Sequence, residues 1–262
     1  MKMAILYIAT GKYDVFWSEF YSSCESLFCN NTEKHYFVFT DSEQINNSAN
    51  VTKVYQDSLG WPFNTMFRYK MFLRVKDLLC NYDWVIFFNG NCQFKQIISE
   101  NDIFGNNQQY DLLAVKHPGF YNKLPSDFTY EKRELSTAFV ANAHYYFAGG
   151  INGGKSSVFL PLIHHLTDNI EGDLQNGIVA VWHDESHWNA YLNNNYEQIK
   201  DKLNILTPDY LYPDGWNLPF TAKILLRDKN KYGGHGLLRG VGSQGGGLKK
   251  VIKRILLKMK GQ

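Results

Sequence analysis

Residues 84–94 read WVIFFNGNCQF. Five apolar residues in a row, Trp84 to Phe88, stop abruptly at Asn89, Gly90 and Asn91. A strand buried on both faces needs such an unbroken run, and strands of that kind belong to sheets covered by helices on both sides. Asn-Gly-Asn is turn chemistry, so the strand ends there. The two amides can donate hydrogen bonds to ligand oxygens, but they bring no charge to hold a metal ion. Taken alone, the triplet reads as a turn.

The neighbouring sequence repeats this pattern. AILYIAT (4–10) is a buried strand ending at Thr10-Gly11, and an aromatic-rich helix follows over about 15–28. KHYFVFTD (34–41) and NVTKVYQD (50–57) are two further strands. FNTMFRYKMFLRVKDLL (63–79) has helical spacing. This order implies an α/β sheet that binds its ligand at the carboxyl ends of the strands. Further on, DLLAVKHPGFY (111–121) is a strand running into a turn, and HYYFAGGINGG (144–154) is a strand ending in glycines. SSVFLPLIHHLTDNI (156–170) is a helix that Pro161 should kink or delay. Another helix lies within GIVAVWHDESHWNAYLNNN (177–195).

The chain has 262 residues, 44% hydrophobic and 20% charged, enough for one sizeable core. Aromatics make up 16%, which suits both a core and stacking on sugar faces. Cys24, Cys29, Cys80 and Cys92 show no CxxC spacing, so neither a zinc site nor a redox pair is indicated. The apolar run at the N-terminus is too short for a signal peptide or a membrane span. Net charge is +2, but residues 248–262, LKKVIKRILLKMKGQ, hold six Lys/Arg and no acid, leaving the remainder at −4. That body is no nucleic-acid footprint. The last segment follows a glycine-rich linker (240–247) and has its apolar residues on one helical face, lysines on the other. It fits an anionic membrane surface, or docking on protein.

Three segments are candidate sites. Residues 149–156, GGINGGKS, satisfy the phosphate-loop spacing G-x-x-x-x-G-K-[ST] and would suit a kinase or NTPase. No strand supplies a clear magnesium-binding Asp to go with it. WHDESH (182–187) spaces His183 and His187 as i, i+4 on one helical face, but it is not the zinc-protease order H-E-x-x-H. Asp184 and Glu185, between Trp182 and Trp188, are costly to bury without partners, and carboxylates in aromatic surroundings suit sugar hydroxyls or a cationic sugar centre. The triplet at 89–91 is the third. A carbohydrate-binding module would also explain the aromatic content.

Four further segments, HPGFY (117–121), FTYEKR (128–133), NGIVAVWHDESHWNAYL (176–192) and LTPDYLY (206–212), together with the triplet, carry a resemblance. In order and spacing they resemble glycosyltransferase family 6, the family of the histo-blood-group A and B transferases and α-1,3-galactosyltransferase. The resemblance runs from about residue 4 to 239. It implies a GT-A glycosyltransferase fold, an α/β architecture with a Rossmann-like nucleotide-binding half and a mixed central sheet. It implies one catalytic domain over 1–239, with 1–92 mainly nucleotide-binding and 93–239 mainly acceptor-binding. It also implies retaining transfer of a sugar from UDP to O3 of a β-galactoside.

Residue roles follow from the resemblance. Ile8, Thr10 and Tyr13 match the uridine segment, and Arg68 an arginine near the donor motif. Asn89 and Asn91 stand where animal members have the metal-binding Asp-x-Asp. This is the pattern of a bacterial, metal-independent branch, so no metal or other cofactor is expected. His117, Thr129 and Trp182 match acceptor-binding positions, where Glu185 also reaches. Asp184 matches a residue that holds the donor sugar, and Glu185 the catalytic carboxylate. Lys229 or Lys231, with Arg239, would cover the diphosphate. Ala148, Gly149 and Gly150 occupy the donor-selecting segment, where glycine at the third position goes with N-acetylgalactosamine. The resemblance thus implies UDP-GalNAc as donor, with UDP-Gal as the alternative, and a 2-fucosylated galactose, H-antigen-like, as acceptor. The animal members' anchor and stem are missing, so a cytoplasmic enzyme is expected, with the basic tail a candidate for peripheral contact with the inner membrane face.

Overall fold

The structure, a computed structural model, describes residues 1–238. Arg239, the glycine-rich linker and the basic tail lie outside the described residues.

The chain begins with β1 (Lys2–Ala9), α1 (Trp17–Leu27), β2 (Glu33–Thr40) and β3 (Val51–Tyr55). Three short helices follow, α2 (Phe63–Met66), α3 (Arg68–Leu73) and α4 (Lys76–Leu79), then β4 (Trp84–Phe88) and β5 (Cys92–Phe94). Next come α5 (Glu100–Phe104), β6 (Leu112–Lys116), β7 (Phe147–Lys155) and α6 (Ser156–Gln175). The chain closes with α7 (Asp184–Asn194), α8 (Tyr196–Ile199), β8 (Leu203–Leu206), β9 (Tyr212–Pro213), β10 (Ile224–Leu226) and α9 (Gly234–Leu238).

Seven strands form one sheet in the order β3-β2-β1-β4-β7-β6-β8. β7 is antiparallel to β4 and to β6, while the other pairings are parallel. This mixed sheet with helices on both faces agrees with a GT-A-like fold. The halves expected at 1–92 and 93–239 share it, because β7 is inserted between β4 and β6. A small second sheet, β5-β10-β9, carries the C-terminal segment back against the first half.

The apolar runs are continuous because each strand feeds two cores. Met3, Ile5 and Tyr7 of β1 with Trp84, Ile86 and Phe88 of β4 enter one core, beside Phe20 of α1. Ala4, Leu6, Val85 and Phe87 enter the other, against Phe72 of α3 and Ile163 of α6. Period-two alternation therefore holds in space while the sequence reads as uniformly apolar.

Three expectations need correction. The 63–79 segment is no single helix: the backbone at Phe67 and Val75 leaves helical angles and divides it in three. The glycines of 149–156 do not end a strand or form a phosphate loop, because they lie within β7. A Cβ built on Gly153 would come within 2.5 Å of the Val85 carbonyl oxygen, and one on Gly154 within 2.5 Å of that of Asp111. These glycines let β7 pack closely between its neighbours. Lys155 is tied to Asp111 by an ion pair of 2.7 Å. Finally, Pro161 neither delays nor ends α6, which starts at Ser156 and carries the proline within it.

Candidate active site

A cleft of about 380 Å³ opens at the carboxyl ends of β1 and β4, where the sheet order predicts a ligand site. Ile8, Thr10, Tyr13, Asn89, Gly90, Gly149 and Gly150 line it. Arg68, Trp182, Asp184 and Glu185 line it too, as does Lys229, whose Nζ stands 5.3 Å from the Tyr13 ring centre. Segments as distant in the chain as Ile8 and Lys229 thus meet here.

The triplet is a tight corner. The Asn89 N–H donates to the Gly150 carbonyl at 2.7 Å, and the Asn89 carbonyl accepts from Cys92 at 2.9 Å. Gly90 has the Ile8 carbonyl 3.2 Å from where a Cβ would stand, a tight contact that disfavours a side chain there. Asn89 lines the cleft, but Asn91 does not. Asn91 is 2% exposed, and its Nδ2 donates to the Arg227 carbonyl at 2.7 Å. Here the expectation of two donor-facing amides is corrected: one faces the cleft and the other fastens the C-terminal segment.

Arg227 is the other half of that fastening, and sequence reasoning missed it. Its buried guanidinium donates to Glu19 at 2.6 Å and to the carbonyls of Phe16 and Cys92, and it lies over the Phe16 ring. With Arg227 anchored, the next turn presents Lys229 to the cleft. Lys231 points elsewhere and pairs with Asp214 at 2.7 Å. Of the two alternatives, Lys229 or Lys231, the cleft is lined by Lys229.

Asp184 and Glu185 open α7, where the helix N-terminus favours negative charge. His183 precedes the helix at φ 55°, ψ −124°, a backbone conformation strained for a non-glycine residue. His183 and His187 therefore do not share a helical face, and among the described residues no group of three His, Cys, Asp or Glu could hold a metal ion. Asp184 sits 3.0 Å from Arg68, whose guanidinium also donates to the Gly149 carbonyl and lies over the Phe87 ring. Glu185 is held at both oxygens: Oε2 accepts from the Gly149 N–H at 2.8 Å and Oε1 from the Tyr146 hydroxyl at 3.2 Å. Burial pushes Asp184 up to about 6 and Glu185 up to about 7, with Arg68 and the Gly149 N–H opposing it respectively.

Ala148 is buried and does not line the cleft, whereas Gly149 and Gly150 do. Gly149 faces Glu185, since a Cβ there would stand 3.1 Å from that residue's own Cβ. Gly150 faces the other way, toward Leu211 at 3.2 Å and Asn89 at 3.7 Å.

The expected acceptor residues gather beside the cleft. The Trp182 indole N–H donates to Thr129 at 2.9 Å. The His117 ring meets the edge of Tyr146 at 5.6 Å. His117 Nδ1 accepts from the Gly119 N–H at 3.0 Å, so in the neutral ring Nε2 carries the hydrogen. Burial lowers this imidazole to about 4, which keeps it neutral near pH 7. Tyr146 joins the three and was not foreseen. Its only signal in sequence is its place two residues before Ala148, on a segment that α7 grips through asparagines. Asn189 bonds both the N–H and the carbonyl of Phe147, and Asn193 bonds His144 and Tyr145.

Among the described residues no helix is long and apolar enough to cross a membrane. The model of the family described as Glycosyltransferase family 6 matches residues 1–232. Among curated proteins, the O-antigen biosynthesis glycosyltransferase WbnI of Escherichia coli is 33% identical over 243 residues, covering 91% of this chain and all of that one. The human globoside alpha-1,3-N-acetylgalactosaminyltransferase 1 is 27% identical over 86% of this chain and 65% of its own length. The rat histo-blood group ABO system transferase 1 is 30% identical over 79% and 61%. The chain thus spans under two-thirds of these animal relatives. With a family match across nearly the whole described chain, over a cleft built from its own strand ends, this chain belongs to glycosyltransferase family 6 and is a glycosyltransferase acting between a nucleotide-sugar donor and a glycan acceptor.

Proposed function

We propose that the chain transfers N-acetylgalactosamine from UDP-GalNAc, with retention of configuration, in α-1,3 linkage to a β-galactoside. The proposed acceptor is a 2-fucosylated galactose, and the reaction needs no divalent metal. The observation that carries this reading is Glu185, buried in the cleft with both oxygens held by the Gly149 N–H and the Tyr146 hydroxyl.

The reaction breaks the bond from C1 to the β-phosphate oxygen of UDP and forms a bond from C1 to acceptor O3. Positive charge builds at C1 and negative charge on the departing diphosphate. Glu185 answers the first charge, either by stabilising the cationic centre or by attacking it. Lys229 answers the second with a charge-assisted hydrogen bond. The O3 proton leaves with the diphosphate. Metal independence is supported by the triplet 89–91, which holds no carboxylate and places only the Asn89 amide in the cleft.

Glycine at 150 favours the acetamido donor, as does the similarity to the human globoside alpha-1,3-N-acetylgalactosaminyltransferase 1. UDP-Gal is the second reading, and one observation favours it: Leu211 already fills the space on the side of Gly150 where a side chain would stand. The test is a donor–acceptor panel run in EDTA, with UDP release measured and the product anomer read by NMR. GalNAc transfer giving an α product without metal supports the proposal. A higher kcat/KM for UDP-Gal overturns the donor assignment, and activity that needs added Mn²⁺ overturns metal independence.

A further inference from the structure

Tyr146 lies between the acceptor-side residues and the carboxylate. It is 3% exposed, and its ring is packed by Tyr130, stacked at 5.2 Å, and by Phe120 and Phe128 at 4.5 and 5.8 Å. Its hydroxyl is the only polar atom of its side chain, and it donates to Glu185 Oε1 at 3.2 Å. Thr129 Oγ1 donates to that hydroxyl at 3.4 Å and accepts from the Trp182 indole at 2.9 Å.

The chemistry at the two ends sets the direction of this chain. An indole N–H can only donate and an ionised carboxylate can only accept. Each hydroxyl between them must therefore accept from one neighbour and donate to the next. All the hydrogens point toward Glu185, an arrangement complementary to its ionised form. A protonated Glu185 would present a hydrogen of its own, and the hydroxyls would have to turn.

We infer that Tyr146 is a positioning residue for Glu185, the last link of a one-way hydrogen-bond chain from Trp182 through Thr129 that orients the carboxylate and favours its ionised form. This rests on the proposed role of Glu185. Trp182 is 47% exposed, so a sugar hydroxyl reaching Trp182 or Thr129 joins the same chain and is linked to the carboxylate through two hydroxyls. Asp184, Arg68 and Tyr69 act on the same carboxylate from α7 and α3. They are untouched by a change at Tyr146.

The test is Tyr146→Phe, which keeps the ring packing. A ~10- to 100-fold fall in kcat is expected from the loss of one oriented donor, with donor KM within about twofold of the parent. The acid limb of the kcat–pH profile should move to higher pH, because Glu185 loses a bond that favours its ionised form. Thr129→Val, which breaks the chain one link earlier, should move the limb the same way by less. A kcat loss in Tyr146→Phe without movement of the limb marks a packing role and overturns the inference, as does an unchanged kcat. If Tyr146→Phe does not fold, Thr129→Val decides by the same limb. Glu185→Gln is run alongside. Full activity there removes the proposed function and this inference together, whereas an inactive Glu185→Gln with an unmoved limb in Tyr146→Phe removes the inference alone.

Discussion

The two flanks of β7 are held together by different forces. On one side β4, β1, β2 and β3 form an unbroken ladder, and their side chains interdigitate in two apolar cores. On the other side residues 117–146 have a single short 3-10 turn, Pro125–Asp127, between β6 and β7. That segment is held by polar side chains bonded to backbone. Asp173 accepts from Ser136 at 2.6 Å and from the Thr137 N–H at 3.0 Å. Glu131 accepts from Arg133 and from the Val181 N–H, and Asn194 spans Phe139 and Ala141. The side proposed to bind the donor thus rests mainly on non-directional burial, whereas the side proposed to bind the acceptor adds directional bonds to its own aromatic cluster of Phe120, Phe128, Tyr130 and Tyr146. A surface that must fit one glycan acceptor is shaped by the directional kind.

The sharpest division of labour falls at Glu185, which stands between the two regions. Glu185→Gln should lower kcat by ~10²–10⁴-fold if the carboxylate supplies several kcal/mol to the transition state. UDP binding by calorimetry should stay near the parent value, and near-normal turnover would reject the role. The acceptor side can be broken on its own at Asp173. Asp173→Ala removes three polar contacts at a residue 2% exposed and should cost about 2–4 kcal/mol of stability. Calorimetric melting would read it, and the comparison predicts that acceptor KM rises while donor KM does not.

The donor side can be probed at its charge. Lys229→Ala should cut kcat/KM for the donor about tenfold or more through loss of a charge-assisted bond to diphosphate, while Lys231→Ala, an exposed ion pair, should stay within about twofold. Equal losses would contradict the placement of Lys229 in the cleft. The smallest expected effect is on stability against pH. Burial raises Asp184 from 3.8 to about 6 and Glu185 from 4.5 to about 7. Ionising them therefore opposes folding, with no penalty below pH ~4 and the full penalty above ~7. The unliganded enzyme should gain stability as pH falls through that window, whereas kcat should fall. A melting temperature that declines over the same range would contradict the burial of this pair.

The comparison also explains what the sequence made legible. Strand-forming runs such as AILYI and WVIFF stand out because a buried strand needs an apolar residue at every position. Thr10 and Asn89 could be placed because they directly follow those strands. Residues 117–146 have no period to read, since Glu131, Asp173 and Asn189 hold them from isolated positions through several local hydrogen bonds each. Tyr146 reads in the sequence as one more aromatic, and its ring is core; only its hydroxyl reaches Glu185. Asn91 turns away from the cleft, and the choice between Lys229 and Lys231 stays open in the sequence, for a related reason. Position after a strand or within a basic segment says that a residue is near the cleft, but not which way it faces, and Arg227 and Asp214 decide that.

The corner at Asn89 joins two parts of the sequence into one mechanical unit. Its N–H is bonded to the Gly150 carbonyl, and Gly150 in turn abuts Leu211. For anyone re-engineering which sugar the cleft takes, position 150 is therefore not an independent dial. A larger residue there presses on Leu211 before it meets any ligand, so useful variants come as compensated pairs, one residue enlarged at 150 and one trimmed at 211.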